Sequence, residues 1–195
     1  MPPPIRFSRD AVLDAAYQLI RREGPAALNA RSVAKELGGS TQPIFRLFAS
    51  MEELRTAVIH MALQEWLQKL RVRLLDSAFP YLTIGMSYLL FAQEEPELFK
   101  LLFMRDRISD GSCTDYNVDF GIPLIEDMVK VDMDTARKLY EHNWFFCHGL
   151  AASIATKYIP CISECRMREL LVGSLNGAAL QLGVALPTID QCKHI

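Results

Sequence analysis

ALNARSVAKELGGSTQPIFRLFASMEELRTAV, residues 27–58, decides the fold. Asn29 is a good helix N-cap, because its short side chain can accept a hydrogen bond from a free amide of the first turn. Val33, Ala34 and Leu37 then fall on one apolar stripe, with Arg31, Lys35 and Glu36 outside it. Gly38-Gly39 supplies a tight turn that needs left-handed backbone. Ser40 reads as the N-cap of the next helix, with Pro43 in its first turn, where a missing N–H costs nothing. Ile44, Phe45 and Phe48 continue that helix. Ser50 and Glu53 form a capping box, which predicts a fourth, long helix running into the seventies. Two short helices joined by a glycine turn, the second opening on small polar residues, have the form of a DNA-reading helix-turn-helix.

Upstream, Ser8 is the predicted N-cap of a first helix, with Ala11, Val12, Ala15, Ala16, Leu19 and Ile20 as its buried stripe and Gly24-Pro25 as its end. Downstream, Phe79-Pro80 breaks the long helix. The apolar spacing then predicts helices over 81–93 and 96–104, a polar loop over 105–117, a short helix near 122–130, and two longer ones over 133–158 and 163–182. Gly173, Ser174, Gly177 and Ala178 on the last predict close helix approach. No segment alternates with a strand period. The expected fold is all-α, with a three-helix DNA-binding domain over 1–55 and a larger helical domain over 56–195.

The 195 residues carry a net charge of −2, but unevenly. Residues 1–55 hold eight Lys/Arg against six Asp/Glu, so the basic excess sits with the helix-turn-helix. No apolar run reaches the ~18 residues of a membrane span, and MPPPIRFSRD lacks a signal-peptide core, so a cytoplasmic protein is expected. Five cysteines, Cys113, Cys147, Cys161, Cys165 and Cys192, are read as reduced thiols. Cys161 and Cys165 lack the two further ligands of a metal site, and none is expected. Nucleophile elbow, phosphate loop, zinc-ligand pair and dinucleotide fingerprint are all absent from the sequence, so neither an enzyme nor a cofactor is expected.

The wording of residues 8–58 closely resembles the DNA-binding region of the TetR family of transcriptional regulators. YLLFAQEEPELFKLLFM, residues 88–104, resembles more loosely the start of that family's regulatory domain. The resemblance implies a homodimer built on two C-terminal helices, a ligand cavity in each regulatory domain, and release from double-stranded operator DNA when a small molecule binds. It places the recognition helix at Ser40–Leu47, with Thr41, Gln42 and Pro43 toward base edges. Chemistry agrees: glutamine pairs bidentately with adenine, and threonine and proline carbons contact thymine methyls. Asn29, Arg31, Ser40, Phe45 and Arg46 are the remaining expected DNA-side residues.

Three positions depart from the family, which commonly has Tyr at Phe45, His at Leu47 and Lys at Met51. Each removes a polar group that would face a phosphate. A helical ligand-binding or interaction protein of the same fold, with little or no DNA binding, is therefore the competing reading. In the second half, Tyr81, Met86, Phe91, Phe103, Met104, Trp144, Phe145 and His148 are the candidate lining of a site for a small apolar or amphipathic effector. The effector, the operator and the direction of regulation are not encoded in any motif.

Overall fold

The computed structural model describes residues 7–106 and 118–187. Cys113, Cys192 and nearly all of the expected loop at 105–117 lie outside the described residues. All regular structure among them is helical: α1 (Arg9–Glu23), a 3-10 turn (Pro25–Ala27), α2 (Ala30–Glu36), α3 (Gln42–Leu47), α4 (Met51–Leu74), α5 (Pro80–Glu94), α6 (Pro96–Phe103), α7 (Val118–Val129), α8 (Met133–Ala155) and α9 (Glu164–Gln181). None of these helices is long and apolar enough to cross a membrane.

The caps explain the boundaries. Ser8 accepts from the Ala11 amide, Asn29 from Ser32, Asp132 from Thr135 and Ser163 from Arg166, each satisfying an amide that its helix leaves free. Gly24, at φ 90°, ends α1, its amide reaching the Ile20 carbonyl at 2.7 Å. At α2 the Gly38 amide bonds the Lys35 carbonyl at 3.1 Å and the Gly39 amide bonds Ala34 at 2.9 Å, the paired bonds of a Schellman turn. Gly38, at φ 66°, occupies the left-handed position that this turn demands.

Two boundaries differ from expectation. Thr41, not Ser40, is the N-cap of α3, and no side chain caps it; Pro43 still lies in the first turn. α7 begins at Val118, with Pro123 inside it. The expected helix began near 122; the observed one starts a turn earlier and runs through the proline. At Gly121 the Tyr140 ring of α8 fills the space where a Cβ would stand, so the two helices pack closely there.

Contacts divide the chain into two compact units, residues 1–67 with 95–105, and residues 68–94 with 106–195. The expected boundary at 55/56 falls inside α4. In the first unit α1 packs on α2, on the 3-10 turn and on α6. Its core contains Val12, Ala16, Ile20, Val33, Ile44, Phe48, Leu54 and Trp66, with Leu98 and Phe99 from α6. Tyr17, missed by the stripe expected for α1, is also buried, and its hydroxyl donates to Glu65. In the second unit α5 packs on α7, α8 and α9, and α8 on α7 and α9. α5 is buried nearly all round, which explains its lack of a polar face.

A buried ion pair ties α1 to the entry of α6. Arg21 Nε donates to Glu95 Oε2 at 2.7 Å, and a second guanidinium nitrogen donates to Oε1. Glu95 is 8% exposed, so removing its partner strands much of a carboxylate away from water. Arg21→Met should therefore destabilise the first unit by about 1–3 kcal/mol, read as a lower urea midpoint at unchanged m-value.

Candidate nucleic-acid interface

The helix-turn-helix is held at both ends by charge and rings. Arg9, at the start of α1, donates to Glu53 at 3.1 Å and lies over the Phe48 ring, 4.4 Å from its centroid. Glu53 accepts the Ala49 amide at 2.7 Å, while its own amide donates to the Ser50 hydroxyl at 3.1 Å. The capping box is therefore present with one change: the glutamate reaches the amide before the serine. Arg9 thus joins the end of α3 to the start of α4, a clamp with no short-range sequence signal because its partners lie some forty residues on. Arg22 of α1 holds α2 through Glu36 at 2.9 and 3.1 Å.

Ile44 and Phe48 face the core, which leaves the other side of α3 outward. Gln42, Phe45 and Arg46 are exposed there, with Thr41 and Pro43 half-buried at its start and Ser40 exposed before it. Arg31 and Lys35 are exposed one turn apart on α2. Asn29 is exposed, but its side chain is engaged at home, accepting from Ser32 and donating to the Ala27 carbonyl. Leu47 and Met51 are half-buried, and Phe45 is 53% exposed.

The cations on the helices of this unit sort into two sets. Arg9, Arg21, Arg22, Arg55 and Lys100 are each within ion-pair distance of a carboxylate. Arg31, Lys35 and Arg46 make no ion pair with any described residue. The cations of α2 and α3 are those left to solvent, the arrangement a polyanion requires.

The expected effector-site residues fall in both units. Phe103 and Met104 belong to the first, where Phe103 packs edge-on against Trp66 at 6.0 Å and tilted against Phe99 at 5.2 Å. Met104 is partly exposed. Tyr81, Met86 and Phe91 are buried on α5. On α8, the Trp144 and His148 rings stack at 5.2 Å, and the Tyr88 hydroxyl and His148 Nδ1 share a hydrogen bond at 2.9 Å. Phe145 points elsewhere: it is 67% exposed on the outer face of α8.

Tyr81 accepts a hydrogen bond from Asn143 at 3.2 Å, and burial raises its phenol above the usual range. Cys147 is buried against the Gly85 carbonyl at 3.8 Å, its thiol pushed up to about 12 by burial. Cys147 and His148 thus engage different partners. Sequence reading missed a pocket of about 190 Å³ in this unit, lined by Arg73, Thr83, Met86, Ser87, Leu90, Glu164 and Arg168. Only Met86 among these was a candidate.

Such an arrangement defines a helix-turn-helix protein with a second helical unit. Residues 12–58 match the family model described as bacterial regulatory proteins, tetR family, so the match takes in the helix-turn-helix and the helix before it. Two uncharacterized HTH-type transcriptional regulators, from two strains of Mycobacterium tuberculosis, are each 34% identical over 74 residues. The match covers 38% of this chain and 37% of theirs. The fold resembles that of a TetR-like transcriptional regulator from Rhodococcus sp. RHA1, with a TM-score of 0.64, 17% identity, and 94% and 98% of the two chains covered. It also resembles the multidrug binding protein EbrR, solved in complex with imidazole, at a TM-score of 0.56, 17% identity, and 93% and 92% coverage.

The clamp sets a pH dependence. The Ala49 amide, and then Arg9, hold the Glu53 carboxyl below its usual value of 4.5, so its contribution is full above that pH and falls away as pH drops through the lowered value. Arg22 does the same to Glu36. Thermal melts should show the first unit weakening below pH about 4.5. Glu53→Gln should melt lower at pH 7 and lose less on acidification.

Proposed function

We propose that the protein is a ligand-responsive transcriptional regulator that binds a palindromic operator as a dimer and, as a repressor, leaves it when a small molecule binds. The observation that carries the DNA-binding part is the set of exposed, unpaired cations Arg31, Lys35 and Arg46 on the two helices of a TetR-family helix-turn-helix. Gln42 and Thr41 read base edges at the start of α3, and the cations hold phosphates. Ser40 and Asn29 add contacts to the backbone. Neither catalysis nor a cofactor enters this reading, and the protein works in the cytoplasm.

The dimer surface is assigned to the outer faces of α8 and α9. Phe145 and Leu180 are 67% and 83% exposed, large apolar groups that water solvates poorly. Gly149, Gly173 and Gly177 have nothing within 4 Å of where a Cβ would stand. Small residues beside exposed apolar ones suit close packing across a two-fold axis. Gly177→Leu should then weaken dimerisation, seen by sedimentation as a shift toward monomer at micromolar concentration; an unchanged profile refutes the surface.

The effector site is assigned to the second unit around Tyr81, Met86, Phe91, Trp144 and His148; Phe103 and Met104 belong to the first unit, and Phe145 fits the dimer face better. Phe45, Leu47 and Met51 leave fewer phosphate contacts than the family usually makes. Anisotropy titrations on the protein's own promoter should give saturable, sequence-dependent binding with a log–log salt slope shallower than about −5, the value for roughly six contacts. Gln42→Ala should lower the specific affinity about tenfold while leaving nonspecific affinity nearly unchanged. No saturable binding at low salt would instead support the ligand-binding protein without DNA function.

A further inference from the structure

Arg168 of α9 is 7% exposed, yet no described residue forms an ion pair or hydrogen bond with it. A guanidinium keeps its charge at any physiological pH, and leaving one buried without a counter-charge is costly. Glu164, one turn before it on the same helix, does not come within ion-pair distance. Arg73, the other cation of the pocket, has Glu94 at 3.6 Å.

Arg168 lines the pocket of about 190 Å³ together with Ser87, which is 1% exposed and whose hydroxyl oxygen has no hydrogen-bond partner among the described residues. Thr83, also in the lining, is already bonded to Ser77 at 2.5 Å. Arg168 and Ser87 therefore line one cavity, and Met86 and Leu90 supply its apolar wall. Every residue concerned belongs to the second unit.

We propose that this pocket binds a small amphipathic carboxylate, its head group accepting from the Arg168 guanidinium and the Ser87 hydroxyl and its hydrocarbon lying on Met86 and Leu90. Arg73 is engaged by Glu94, which leaves Arg168 as the single unengaged cation of the lining, a charge that suits a monoanion better than the double charge of a phosphate monoester. The volume suits a short or aromatic acid rather than a long acyl chain. The inference names the effector class of the regulator proposed above and rests on that reading.

Calorimetric titration of the full chain with benzoate and hexanoate, with benzamide and hexanol as neutral counterparts and inorganic phosphate as a third anion, tests it. Expected are binding of at least one carboxylate, little or none of its neutral counterpart or of phosphate, and a loss of about tenfold to a hundredfold in Arg168→Gln. Ser87→Ala, a smaller change in case the arginine variant does not fold, should lose about fivefold. Equal binding of benzamide, binding of phosphate in preference, carboxylate affinity unchanged in Ser87→Ala, or no binding at millimolar concentration would each overturn the assignment. The DNA titration above separates the two readings. Carboxylate binding that leaves DNA affinity unchanged supports the pocket and removes ligand release, whereas sequence-specific DNA binding with no carboxylate bound removes the pocket alone.

Discussion

The bidentate pair of Arg21 and Glu95 is the constraint on which the first unit depends, because it fixes a segment that reaches α1 only after the whole of α5 has intervened. Glu95 is held from both directions along the chain. Pro96 follows it, which disfavours helical backbone at Glu95, ends α5 and starts α6 at a residue that needs no amide donor. Leu98 and Phe99 can then enter a core whose other members come from residues 12–66. A three-helix segment alone offers little apolar area to bury. With α6 added, Trp66 and Phe103 close that core edge to face.

Most of the architecture was legible because it is local. Caps such as Ser8, Asn29 and Ser163, the left-handed glycine after α2 and the prolines at 80 and 96 act within four residues, and each helix they bound lies within a few residues of its expected range. Two bounds differ from their expected places. α7 runs through Pro123 while Gly121 sits under the Tyr140 ring, and α3 starts one residue late because Thr41 takes the cap position. The Arg9 clamp and the membership of α6 in the first unit are contacts between distant residues, for which periodicity carries no information.

The same division separates the two candidate sites. The candidate DNA-side residues could be read from sequence since a helix-turn-helix exposes a consecutive stretch: once Ile44 and Phe48 turn inward, Gln42, Phe45 and Arg46 have nowhere to face but out. Aromatic content by itself does not sort the residues of the second unit. Phe91 is buried, Phe145 is exposed, and Trp144 and His148 stack on each other. Bulky apolar residues serve core, interface and cavity alike, so their presence on a helix distinguishes none of these.

Polar residues are more discriminating, for an energetic reason. α5 is packed on three helices and shows almost no solvent face, so each polar group on it must find a partner or carry a cost of about 1–3 kcal/mol. Thr83 bonds Ser77, Tyr81 accepts from Asn143, and Tyr88 shares a hydrogen bond with His148. Ser87 is the hydroxyl on this helix that stays unmatched, and it opens on the cavity that also receives an unpaired buried arginine. Two unmet demands on one cavity, a positive charge and a hydroxyl, are of a kind that a carboxylate can meet, since it accepts from both. Methionine and leucine on the same wall leave the remainder of such a ligand apolar, so the pocket selects for charge at one end and its absence at the other.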